Sequence, residues 1–315
     1  MLDDRRRRRA FLTLVAIALS SAILTPGVLA RASLTAVPSF NTIAIHLVDL
    51  PLDRRPYVRA TLAPLVARWP VDRAGVPLFR NGGKSYYHPV ILAQRALDLL
   101  DGYRRTHDHR YLDGARRVAS RLVAMSSMVD GARYIPYGFD FALHGHADET
   151  LHAPWYSGMA EGMALSVFSR LHAIEGRVSD LDIARSLFLA LEPHGRTGAW
   201  VSWVDSSGYM WIEEYPSARP DHTLNGFNFA LYGLYDYVQE TGDPAAQHLL
   251  IGGLTTVIHY LPQFRRPGGI SLYCLAHGVR SQKYHDIHVA QLRMLARMTE
   301  SPLLARYAAL FDADA

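Results

Sequence analysis

Residues 209–237 read Tyr209-Met210-Trp211-Ile212-Glu213-Glu214-Tyr215-Pro216, then a short polar loop, then Leu224-Asn225-Gly226-Phe227 leading into an apolar helix that ends Tyr232-Gly233-Leu234-Tyr235-Asp236-Tyr237. An aromatic strand thus ends in two carboxylates, a phenol and a proline, and a helix follows at once. A core element carries fewer polar groups, because each buried carboxylate must find a partner or change its protonation state. The stretch reads as the floor of an active site set between helices.

Working outward, Trp200–Val204 alternates in the strand manner and pairs with Tyr209–Ile212 around the turn Asp205-Ser206-Ser207-Gly208. Helical spacing of apolar residues predicts helices over residues 57–69, from Pro89 to Tyr103, 109–127, 156–171, 181–191, 225–237, 245–260, 285–298 and 303–311. Pro70 stops the first, and Pro89 suits the opening turn of the second. Ser157, Gly158, Ala160 and Gly162 are small residues at a helix start, where another backbone or a ligand approaches closely. Residues 71–88 read as loop. Residues 130–141 read as a strand or hairpin, and 264–273 as a hairpin. Helices that each need a neighbour to cover an apolar stripe predict a mainly α fold. That fold is an α/α toroid of helical hairpins with short inserted β-hairpins. About ten helices, fewer than the twelve of a six-pair ring, predict an incomplete barrel.

The chain has 315 residues, 49% of them hydrophobic and 20% charged, a globular composition. Residues 1–32 read as an export leader or N-terminal anchor. Arg5 to Arg9 are basic, Phe11 to Leu24 are apolar, and Ala30-Arg31-Ala32 is a small-x-small cleavage signal. Arg8-Arg9-Ala10-Phe11-Leu12 resembles a twin-arginine signal, which implies a bacterial protein exported folded; a Sec leader is the alternative. Residues 33–84 then form an N-terminal extension packing on the toroid, and 85–315 the catalytic domain. The leader holds six of the 33 Lys+Arg and two of the 29 Asp+Glu, so the remainder carries 27 of each. The pI of 9.2 therefore gives no reason to expect a nucleic acid partner. Cys274 is the single cysteine, so no intrachain disulfide forms, and its apolar neighbours predict a buried inert thiol.

Four groups of residues carry candidate chemistry. Strand alternation lets only one of Glu213 and Glu214 face a given pocket; the other is solvated or caps the helix near Thr223 to Asn225. Tyr273 accompanies Tyr284-His285-Asp286-Ile287-His288, whose two histidines share a helix face as metal ligands, acid and base, or satisfied polar groups. The loop His144-Gly145-His146-Ala147-Asp148 with His152 has metal-like spacing, although such loops commonly hold none. Aromatic side chains, including Tyr86, Tyr87, Tyr134, Tyr137, Trp155, Tyr156, Trp200, Trp203 and Trp211, stack on sugars or fill the core.

Several blocks in one order resemble a known family. They are Tyr86-Tyr87-His88-Pro89, Trp155-Tyr156-Ser157-Gly158-Met159-Ala160-Glu161-Gly162, Glu213-Glu214-Tyr215-Pro216, Leu224-Asn225-Gly226-Phe227, and Tyr284-His285 with His288 and Gln291-Leu292. Together they are similar to the C-terminal catalytic domain of D-glucuronyl C5-epimerases. The resemblance implies an isomerase that inverts D-glucuronate to L-iduronate within a polysaccharide, heparosan being the family's glycan. It implies removal and return of the C5 proton with no metal and no cofactor. By position it assigns catalysis to Glu214, Tyr215, Tyr273 and Tyr284. Substrate binding would fall to Tyr87, Trp155, Tyr156, Trp211, Asn225, Arg280, His285 and His288. Alanine stands at Ala276 where the family has arginine, so the cation on the carboxylate is missing here or comes from Arg280 or Lys283. Glu161 stands where glutamine is usual. A polysaccharide lyase, a glycoside hydrolase and a non-catalytic glycan-binding relative are the alternatives. The chain is as compatible with a homodimer as with a monomer.

Overall fold

Eight α-helices, taken in consecutive pairs, build the part of the chain that the computed structural model describes, residues 37–314. The leader expected at residues 1–32 lies outside the described residues. The pairs are α1 (Pro89–Thr106) with α2 (His109–Met125), α3 (Gly158–Glu175) with α4 (Val178–Leu191), α5 (Leu224–Thr241) with α6 (Pro244–Phe264), and α7 (Gln282–Thr299) with α8 (Pro302–Asp314). The odd-numbered helices also pack on one another in the order α1, α3, α5, α7. They form an inner row, and their partners cover it from outside. This is the α/α toroid, with four pairs among the described residues.

Local chemistry sets the helix ends. His88 caps α1, accepting the Ile91 amide proton at Nδ1 (3.4 Å), and Pro89 fills the first helical position. Asp243 caps α6 by accepting from the amides of Ala245 and Ala246. The inner helices α3 and α5 are buried for most of their length, and they touch through glycine. A Cβ at Gly162 would overlap the Cα of Ala230, and one at Gly233 would overlap the Gly162 carbonyl. The small residues singled out in the sequence are therefore what lets two backbones meet.

Four antiparallel two-stranded hairpins precede or separate the helices: β1 (Phe79–Asn81) with β2 (Lys84–Tyr86), β3 (Ser127–Val129) with β4 (Ala132–Tyr134), β5 (Phe141–Ala142) with β6 (Thr150–Leu151), and β7 (Ser202–Val204) with β8 (Met210–Ile212). In the last, Trp203 stands opposite Trp211, and Thr256 on α6 donates to the Met210 carbonyl (2.8 Å).

Three sequence expectations need correction. Residues 57–69 form turns, not a helix, because Tyr57 adopts φ 68° and Pro64 interrupts the pattern. Residues 71–88 are not wholly loop: Asn81-Gly82-Gly83 turns β1 into β2, with both glycines at positive φ. Residues 264–273 make only isolated bridges, Arg266 to Gly269 and Leu272 to Arg280. The helix count is therefore eight among the described residues, against about ten expected.

The segment before β1 is held by polar contacts. The Arg95 guanidinium donates to the Pro64 and Leu65 carbonyls, and Tyr235 donates to the Val48 carbonyl (2.6 Å). Among the described residues no helix is long and apolar enough to cross a membrane.

Candidate active site

The inner helices all present their N-terminal ends to one cavity of about 330 Å³. Its wall is built from His88 and Val90 at the start of α1, Ser157 and Met159 at α3, Asn225 at α5, and Lys283, Tyr284 and Ile287 at α7. The chain just after β8 contributes Glu214 and Tyr215, and β5 with its neighbours contributes Phe139, Phe141 and Trp155. Four helix N-termini around one space make it favourable for negative charge. Three larger concavities, about 440, 1180 and 400 Å³, lie over Arg95, over Arg297 and beside Glu149; none collects a carboxylate and phenols.

Strand parity divides the two glutamates. Glu213 is fully buried and turned away: it accepts from Trp203 Nε1 (3.0 Å) and the His222 amide (3.0 Å), and contacts His222 Nδ1 (2.8 Å). It thereby anchors the chain just before Thr223, the cap of α5. Glu214 faces the cavity. Tyr273 donates to Glu214 Oε2 (3.1 Å), and the Tyr215 and Tyr273 hydroxyls are 3.2 Å apart. The Tyr284 ring lies 4.2 Å from that of Tyr273. Gly226 makes room for this carboxylate, since a Cβ there would overlap Glu214 Oε2.

Burial pushes the Glu214 carboxyl up to about 7, and hydrogen bonds from Tyr215 and Tyr273 restrain the rise. Burial, then the Glu214 charge, raises the Tyr215, Tyr273 and Tyr284 phenols above their usual value. At neutral pH the site holds a carboxylate poised to take a proton and phenols that keep theirs.

The four residues assigned to catalysis thus come together. Glu214, Tyr215 and Tyr284 line the cavity, and Tyr273, buried behind them, touches all three. Of the residues assigned to binding, Trp155 and Asn225 line the cavity. Trp155 is stacked on Tyr137 (3.8 Å), and the buried Asn225 Oδ1 has no hydrogen-bond partner.

The remaining binding assignments point elsewhere. Tyr87 donates to Asp72 (2.8 Å) under the Arg121 guanidinium. Tyr156 packs on Tyr134 (5.1 Å), and Trp211 is buried between His222 and Phe227. Arg280 is exposed at a bridge to Leu272, whereas Lys283 is on the cavity wall. His285 accepts the Ser271 amide proton at Nδ1 (2.9 Å), and His288 Nδ1 is 2.9 Å from Ser271 Oγ. These histidines fix the segment that carries Tyr273. Burial holds His288 down at about 3, so it stays neutral. Helix parity explains the outcome: Tyr284 and Ile287 face the cavity, and His285 and His288 face one position round.

Sequence reasoning missed His88 and Phe141 as cavity residues. His88 stands in the sequence only as part of the Tyr86–Pro89 block, and Phe141 belongs to a two-residue strand. Burial holds His88 at about 4, so it is neutral. Glu161 is fully buried and its carboxyl is pushed well up by desolvation; Oε1 accepts the Ile135 amide proton (2.7 Å). A protonated glutamate has the shape and polarity of the glutamine that the resemblance leads one to expect at this position. The 144–152 loop does not gather its own histidines at one point: His152 pairs with exposed Asp140, His146 stacks on His277, and His144 turns inward to Asp221 (2.8 Å).

Comparison with known proteins gives the class first. Cellobiose 2-epimerase from Bacillus thermoamylovorans superposes over 79% of this chain and 66% of its own, with TM-score 0.56 at 10% identity, so the two share the helical toroid fold. The family profile described as D-glucuronyl C5-epimerase C-terminus matches residues 130–313, and the chain belongs to that family. A D-glucuronyl C5-epimerase of Caenorhabditis elegans is 27% identical over 173 residues, 49% of this chain and 28% of that protein. An uncharacterised protein of Methanocaldococcus jannaschii is 26% identical over 161 residues, half of each chain. The matches thus span between about a quarter and half of the length of these relatives.

Proposed function

We propose that the protein is a carbohydrate C5-epimerase that inverts uronate residues within a polysaccharide. The observation that carries this reading is the Glu214–Tyr273 hydrogen bond in a cavity ringed by helix N-termini, within a chain of the epimerase family.

The C5 proton of a uronate is α to a carboxylate and weakly acidic. The bound carboxylate lies toward the helix N-termini and the Lys283 ammonium, which favour the charge that builds on it as the proton leaves. Glu214 takes the proton as the C5–H bond breaks, and the electron pair moves into the carboxylate. The Tyr284 hydroxyl delivers its proton to the other face of C5, and the ring is inverted. Tyr284 is left as a phenolate and Glu214 as the acid. Tyr273 lies between them, and through it the proton passes back from Glu214 to Tyr284. The raised phenol pKa makes that return downhill.

A glycoside hydrolase needs a second carboxylate across the cavity, roughly 5–9.5 Å away. Glu214 is the only carboxylate on the described wall, which weighs against that reading. Trp155 and Phe141 give part of the cavity wall an apolar, aromatic character, consistent with a sugar substrate. Residues 1–32 are proposed as the leader of an exported protein, which N-terminal sequencing of the mature form checks.

The test is incubation with heparosan-type glycans in deuterated water. Deuterium at C5 with L-iduronate formation is the expected result. An unsaturated product absorbing in the ultraviolet would instead mark a lyase. No exchange across several uronate polymers sinks the proposal.

A further inference from the structure

Behind Tyr273, away from the cavity, four potential metal-binding side chains converge: His144, Asp221, Cys274 and His277. One ligand atom from each lies within 4.8 Å of all the others. His144 Nε2 is 2.8 Å from Asp221 Oδ2 and 3.5 Å from Cys274 Sγ, and His277 Nδ1 is 2.7 Å from Asp221 Oδ1. Asp221 and Cys274 are fully buried, and the two histidines nearly so. We propose that these four residues form a structural site for a divalent transition metal of zinc type.

The donor set fits. Two imidazole nitrogens, a thiolate and a carboxylate are the ligands zinc takes in four-coordinate sites, at ~2.0–2.3 Å from the ion. Ligands that distant from one ion stand ~3–4 Å apart around a tetrahedron, so a small outward movement of the side chains admits it. Charge also fits: two anionic and two neutral ligands neutralise a dication, so the occupied site buries no net charge. A second observation concerns the far side of the ring. With Nδ1 of His277 on the cluster, its Nε2 is 2.6 Å from the Glu149 carboxylate. A carboxylate holding the outer nitrogen of a ligating histidine fixes its tautomer and orientation, as it does around bound metals.

The ligands come from three segments. His144 is on the turn after β5, Asp221 precedes the α5 cap, and Cys274 with His277 follows Tyr273. A metal would tie these together directly behind the catalytic tyrosine, since Cys274 is its neighbour and His144 packs edge-on against its ring (5.7 Å). The site acts on structure; no step of the epimerase proposal passes through it, and its test does not depend on that proposal.

The experiment uses the full chain, stripped with chelator and titrated with zinc or cobalt(II). The expected result is about one equivalent of zinc retained through gel filtration, with a higher thermal midpoint. Cobalt should give a thiolate-to-metal charge-transfer band in the near ultraviolet and strong tetrahedral bands in the visible. Cys274→Ser should lose the charge-transfer band, and His152→Ala, on the exposed part of the loop, should keep it. A folded parent protein that retains no metal, or a cobalt spectrum without the thiolate band, overturns the proposal. So does a spectrum unchanged in Cys274→Ser.

Discussion

The Tyr273 hydroxyl donates a 3.1 Å hydrogen bond to Glu214 across 59 positions of sequence. Glu214 lies two residues beyond β8, and Tyr273 immediately precedes Cys274, which bridges to Thr223, the α5 cap. The bond joins the base to the phenols, and the predictions turn on it.

Glu214→Gln removes the base and leaves the shape. C5 exchange should fall by about 10²–10⁴-fold, with the fold intact by circular dichroism. Exchange at the parental rate would place the base elsewhere.

Exchange by the parent should rise with pH through about 7, because Glu214 must be ionised to accept a proton. Stability runs the other way. A carboxyl whose pKa is raised on folding stabilises the protein fully below its unfolded value near 4.5, and that contribution is lost as pH rises through about 7. Above pH 7 Glu214→Gln should therefore be more stable than the parent, by up to on the order of 3 kcal/mol. Denaturant unfolding of both proteins at pH 5 and pH 8 measures the difference.

Tyr273→Phe and Tyr284→Phe should differ. Removing the Tyr273 bond takes away a group that lowers the Glu214 pKa, so the pH profile should shift upward. Tyr284→Phe should abolish inversion while leaving the profile of any residual proton exchange in place. Identical profiles for the two variants would argue against the relay.

Gly226→Ala drives a methyl into Glu214 Oε2. Loss of activity is expected, with a cost of about 1–3 kcal/mol in stability. Full activity would show that the carboxylate has another productive position.

Lys283→Ala should raise KM for an anionic glycan, with a weaker dependence on salt, and Arg280→Ala should leave both unchanged. The two positions are three residues apart, and only Lys283 reaches the cavity wall.

The sequence by itself determined the helical pairs, the β7–β8 turn and the family. These are local properties: a 3.6-residue period, a turn at Asp205–Gly208, and blocks of residues in a fixed order. It also showed that Glu213 and Glu214 must face opposite ways. Tertiary structure decided which one meets the cavity, because that depends on the side from which α5 and Trp203 pack against the strand. Packing likewise turned His285 and His288 toward Ser271, left Arg280 outside, and put His144, Asp221, Cys274 and His277 within reach of one ion. Distances between side chains far apart in the chain are fixed by how whole helices stack, and no local pattern encodes them.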